Sequence, residues 1–151
     1  MLRTRLSDAL KEAMKAKEAR ATSTLRLILA ALKDRDIAER TKGNDQGLGD
    51  EAILEMLQKM VRQRQESIEM YTRGGRSDLA QREGEEIEVI ERFLPKQMDE
   101  TDMRSAIEGV IGELGAASVK DMGRVMAALK QRYPGRMDFG KASGIVKEAL
   151  V

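Results

Sequence analysis

The sequence contains no histidine and no cysteine. Without histidine it lacks the usual general base near neutral pH and the commonest metal ligand. Without cysteine it has no disulfide framework and no thiolate metal site. There is no tryptophan, and two Phe and two Tyr bring the aromatics to 3%. Any core is therefore aliphatic, built from Leu, Ile, Val, Ala and ten Met. No apolar run approaches the roughly 18 residues of a transmembrane helix. Phosphate loops, dinucleotide fingerprints and nucleophile elbows are also missing. The N-terminal stretch MLRTRLSDALKEAMKAKEAR is amphipathic and carries acids, so it does not read as a secretory signal. A formal net charge of +1 excludes a global field directed at nucleic acid or an anionic membrane. The expectation is a cytoplasmic protein without cofactor, metal or membrane association, whose isolated chain is a poor candidate for catalysis without settling whether it is an enzyme.

What the chain does have is charge, at 35% of its 151 residues, set among Ala and Leu. These residue types lose little rotamer freedom in a helix, and no strand-like alternation stands out. The fold class expected is all-α. Residues 2 to 17 place Leu2, Leu6, Ala9, Leu10, Ala13 and Met14 at helical spacing. A turn over Glu18 to Thr24 leads into a helix over 22 to 40, with Leu25, Ile28, Leu29, Leu32 and Ile37 on one face. Leu27, Ala30 and Ala31 widen that arc, which suggests a central helix. The Gly-rich loop Lys42 to Gly49 precedes a long helix capped by Asp50 and ending near Arg73. Gly74 or Gly75 closes it in the left-handed conformation, and Ser77 or Asp78 caps the return helix.

Pro95 lacks an N–H and biases Leu94 away from helical geometry. A domain boundary is expected there, giving an N-terminal four-helix domain over 1–95 and a small three-helix tail domain over 96–151. Asp99 or Thr101, Ser118 with Asp121, and Asp138 are the expected caps of the three tail helices.

Charge is unevenly distributed. Lys59 to Arg76 holds five Lys/Arg and two Glu, and Ser77 to Leu94 holds six Asp/Glu and two Arg. The acidic run Glu83, Glu85, Glu86, Glu88 and Glu91 reads as a solvated face paired with the basic helix opposite. Metal ligation by helical carboxylates typically brings a Glu-x-x-His, which this chain cannot supply. Past the boundary, Lys120, Arg124, Lys130, Arg132, Arg136, Lys141 and Lys147 face only Asp121 and Asp138 in the same stretch, a net +5. Gln97 to Glu113 carries one Arg against five acids. The last two helices are thus basic, as an RNA-phosphate surface or as an ordinary solvated one.

The motifs also resemble a known family. Thr24-Leu25-Arg26-Leu27-Ile28, Ala31-Leu32-Lys33, Lys59-Met60, Arg62-Gln63-Arg64 and Ser67-Ile68 look like the signature of the YqeY family. So do Gly75-Arg76, Asp78-Leu79-Ala80, Glu83, Glu86-Ile87 and Phe93-Leu94-Pro95. Lys120-Asp121-Met122-Gly123, Val125-Met126 and Gly135-Arg136 extend the likeness into the last domain. That family is similar to the C-terminal helical and tail regions of GatB, the subunit of tRNA-dependent amidotransferase that binds misacylated tRNA.

The resemblance implies an all-α fold and a partner that is tRNA or a tRNA-containing complex. It also implies an association with carbon–nitrogen ligation in which glutamine donates the amide. Nothing in the chain corresponds to a glutaminase. A protein-interaction adaptor built on the charge-split hairpin is the remaining reading. One departure stands out: where many relatives read Gly-Arg-Ala-Asp-Gly, this chain has Gly135-Arg136-Met137-Asp138-Phe139. Phe139 is read either as a core residue or as a platform for base stacking.

Overall fold

Lys17 adopts a left-handed backbone, φ +56°, and this single residue turns the chain between its first two helices. The computed structural model describes residues 1–151 and shows α1 (Leu2–Lys15) and α2 (Ala19–Thr41). The turn is earlier and shorter than the Glu18–Thr24 break expected. Ala21, Thr24 and Leu25 already lie in the core. The signal was absent because neither Gly nor Pro marks the spot.

Then follow α3 (Asp50–Arg73), α4 (Ser77–Glu91), α5 (Glu100–Leu114), a 3-10 turn (Val119–Asp121), α6 (Met122–Arg132) and α7 (Phe139–Leu150). All regular structure is helical, as expected. The chain divides into two compact units, Met1–Leu94 and Pro95–Val151.

In the first unit α3 and α4 run along each other, α1 packs on α2, and α2 packs on α4. Gly75, at φ +72°, makes the bend between α3 and α4 that a side chain would strain. Leu6, Leu25, Ile28, Ile53, Met56, Leu57 and Ile90 fill the centre. Three residues of the expected apolar pattern stay exposed. Leu27 is 50% exposed and Ile37 47% exposed, so α2 has an uncovered outer face rather than a fully central position. Met14 is exposed as well.

The 42–49 loop is fastened rather than free. Arg3 makes a bidentate ion pair with Asp36, at 2.6 and 3.0 Å, and donates to the Leu48 carbonyl. The Leu48 N–H donates to Asp36 in turn. Asp50 is the first residue of α3, not its cap; Gly49 takes the cap position. The Asp50 carboxylate instead accepts the Leu2 N–H at the start of α1. Arg76 occupies the cap position of α4 and pairs with Asp78 in its first turn.

In the second unit α5, α6 and α7 pack mutually around Met103, Ile107, Val110, Val125, Leu129, Met137, Ala142, Val146 and Leu150. Its caps follow the sequence. Asp99 and Asp102 form a capping box at α5, Asp121 accepts the N–H groups of Ala117 and Ser118, and Asp138 caps α7. Gly115 ends α5 at φ +61°. Phe139 is half-buried and packs against this core.

Candidate functional site

Lys120, Arg124, Lys130, Arg132, Arg136, Lys141 and Lys147 are all exposed. They differ in what already holds them. Arg124 pairs with Asp121 at 3.0 Å. Arg132 reaches across to Glu113 on α5. Both contacts hold their carboxyls below the usual range, Glu113 chiefly through Arg132 and Asp121 chiefly through the Ala117 N–H, then Arg124. Arg136 donates to the Lys96 carbonyl at 3.3 Å and lies 6.0 Å from the centre of the Tyr133 ring. The side-chain ammonium groups of Lys120, Lys130, Lys141 and Lys147 have no hydrogen bond or ion pair in the structure and are free to meet an external anion; Lys141 donates only its backbone N–H, to Asp138.

Helical geometry sorts them further. Arg124 and Lys130 are six positions apart, which sets them about 120° apart around α6. Lys141 and Lys147 are separated in the same way on α7. α6 therefore carries Arg124 and Lys130 on opposite flanks of its apolar stripe (Val125 and Leu129), with Arg132 in line with the stripe at its end, and α7 carries Lys141 and Lys147 on opposite flanks of Ala142 and Val146.

A second charged site lies in the N-terminal unit, within the acidic run expected to be a solvated face. Glu86 is only 7% exposed. It pairs with Arg64 across the α3–α4 interface at 3.0 Å, with Glu83 4.0 Å from the same Arg64 nitrogen and Arg82 3.9 Å from the other Glu86 oxygen. Arg64 also donates to the Met60 carbonyl. Of the remaining acids, Glu85 pairs with Arg20 of α2. A signal for the buried Glu86 existed. Glu86, Ile90 and Phe93 recur at i, i+4 and i+7, the spacing of a core-facing stripe. No group of three or more acidic side chains is placed to hold a metal ion, and no helix is long and apolar enough to cross a membrane.

Comparison with known proteins places these features in a family. The family described as "Yqey-like protein" matches residues 3–150. Three relatives share the name "Altered inheritance of mitochondria protein 41, mitochondrial". The one from Lachancea thermotolerans is 32% identical over 111 residues, 72% of this chain and 57% of its own length. The one from Eremothecium gossypii is 36% identical over 89 residues, 59% of this chain and 46% of its own. The one from Pyrenophora tritici-repentis is 32% identical over 136 residues, 85% of this chain and 71% of its own. The chain thus spans about half the length of the first two. The expectation of a cytoplasmic protein is corrected by these relatives, whose names are those of mitochondrial proteins; amphipathicity and missing signals in the sequence carry no such address. With the match running over nearly every residue of both units, the chain belongs to the YqeY family.

Proposed function

We propose that this protein is a non-catalytic, tRNA-associated helical protein that meets RNA phosphates through the cations of its C-terminal unit. One observation carries the reading. Lys120, Lys130, Lys141 and Lys147 are exposed without a carboxylate partner, in a stretch of net charge +5. The likeness of the family to the tRNA-binding tail of GatB supports the choice of RNA over other polyanions. Arg124, Arg132 and Arg136 contribute less, because each gives up an existing contact to bind.

Neutralising about four phosphates makes affinity fall roughly a hundredfold between 50 and 200 mM salt. Fluorescence polarisation with bulk tRNA measures this, with organellar tRNA as a second probe suggested by the relatives' names. Reversing the four lysines to glutamate should abolish binding. Salt-insensitive binding, or none at micromolar protein, would overturn the reading. An accessory role in carbon–nitrogen ligation is separable: formation of Gln-tRNA from Glu-tRNA by the isolated chain would show catalysis. Recovery of a protein partner after nuclease treatment, with no tRNA binding, would favour an adaptor.

A further inference from the structure

Apolar side chains occupy two faces of α2. Leu25, Ile28 and Leu32 are buried in the core of the first unit, while Leu27 and Ile37 stay half exposed on the opposite side. That exposed side has a regular spacing. Leu27, Ala30, Asp34 and Ile37 are separated by three, four and three positions, the seam of a coiled coil. Ala30 and Asp34 are exposed as well. Arg26, Lys33 and Arg40 recur every seven residues along one edge of this seam. All three are exposed. None has a side-chain hydrogen bond or ion pair, and Arg40 acts on Asp36 through its charge alone. Along the other edge stand Ala31 and Ala38.

Charge complementarity selects what covers this face. Unpartnered cations in heptad register beside an apolar stripe match a row of carboxylates at the same spacing on a facing helix. A second copy of α2 supplies no such row. Antiparallel, its cations would meet their own counterparts; parallel, they would meet Ala31 and Ala38. An anionic membrane suits the face poorly, because Asp34 interrupts the apolar stripe at its middle and cations line only one edge. RNA phosphates would engage the cations and leave Leu27 and Ile37 in water. A helix satisfies both. Ala30 and Ala31 are small enough to let it approach closely, and a polar residue within the seam, here Asp34, sets the register.

We infer that the outer face of α2 docks an amphipathic helix of a partner protein, one that carries acids at heptad spacing beside its apolar stripe. Leu27 and Ile37 anchor the two ends of the contact, about 15 Å apart at 1.5 Å per residue. Arg26, Lys33 and Arg40 meet the acids. The surface belongs to the N-terminal unit and is separate from the tail lysines proposed to meet RNA.

The test uses the full chain and two synthetic three-heptad peptides. Both have leucine at the seam positions, and one has glutamate, the other lysine, at the flanking positions. In an NMR titration the glutamate peptide should give saturable shifts at Leu27, Ala30, Asp34 and Ile37, and should bind roughly tenfold or more tightly than the lysine peptide. Arg26→Glu, Lys33→Glu and Arg40→Glu together should invert that preference, which loss of folding alone cannot do. Ile37→Asp, at an exposed position, should weaken the glutamate peptide roughly tenfold with the helical circular dichroism unchanged. Lys130→Glu in the other unit should have no effect. Equal binding of the two peptides, or shifts confined to the tail cations, would overturn the inference. So would sedimentation with phosphatidylserine vesicles that the charge-reversed variant abolishes. Loss of tRNA binding in that variant, without peptide binding by the wild type, would make α2 part of an RNA surface instead.

Discussion

Replacing Thr24 with valine should stabilise the N-terminal unit. Thr24 is fully buried in α2, beside Leu25 and one turn before Ile28. Its hydroxyl oxygen has no hydrogen-bond partner. A buried polar group left unsatisfied costs roughly 1–3 kcal/mol. Valine keeps the branched shape and fills the same volume with a methyl, so neither packing nor helix propensity changes much. The lower end of that range is the reasonable expectation, because rotation of the hydroxyl toward a helical carbonyl recovers part of the loss. A gain of about 1 kcal/mol would raise the melting temperature of a unit this size by about 4–8 °C.

Thr24→Ser is the matched control. It keeps the hydroxyl and removes the methyl, and should cost about 1 kcal/mol through lost apolar burial. Hydrogen exchange at the α2 amides under native conditions reads the unit directly, without requiring both units to unfold together. If Thr24→Val exchanges faster than the wild type, the hydroxyl is bonded in solution and the reasoning fails.

Arg64→Met should destabilise the same unit by roughly 3–5 kcal/mol, since it strands the buried Glu86. Adding Glu86→Leu should recover most of that loss in urea unfolding; no recovery would mean that the pair is not the source. Arg3 and the Leu48 N–H hold the Asp36 carboxyl below its usual range, Arg3 contributing most. Its contribution is therefore complete above about pH 4, the ordinary aspartate value, and is lost as pH falls through the lower folded value. Asp36→Asn should accordingly be less stable than the wild type at pH 6, with the gap narrowing toward pH 3 in urea midpoints; a constant gap would contradict the linkage. Gly47→Ala should cost about 1–3 kcal/mol, because Gly47 has φ +79° and a Cβ there would lie 2.4 Å from the Asp36 carboxylate; unchanged thermal unfolding would refute it.

Local features were the most legible in the sequence. Asp99, Asp138 and the Ser118–Asp121 pair announce helix starts because capping is settled within three residues. Gly75 and Gly115 mark bends for the same reason. Features set by distant neighbours were not readable. Apolar spacing placed Ile37 and Leu27 on a helix but could not say that no helix covers them. The acidic run looked uniform, yet Glu86 is buried and Glu88 exposed because α4 turns one toward Arg64 and the other away. Among the tail cations, the dispersal around α6 and α7 follows from counting residues. That Arg132 is spent on Glu113 follows only from how α5 packs against α6.

The Arg3–Asp36–Leu48 clamp has a practical corollary. The stretch between α2 and α3 is glycine-rich, and it would ordinarily be chosen for inserting a tag or for limited proteolysis. Here its far end is hydrogen-bonded to side chains of α1 and α2, and the backbone of α1 is itself joined to Asp50. Lys42 lies at the exposed near end, so cleavage after it should be local, whereas cleavage of the Gly47–Leu48 bond should require the opening of the first unit as a whole. The nicking rate at Gly47–Leu48, set against the rate after Lys42, would serve as a built-in gauge of the unit's unfolding.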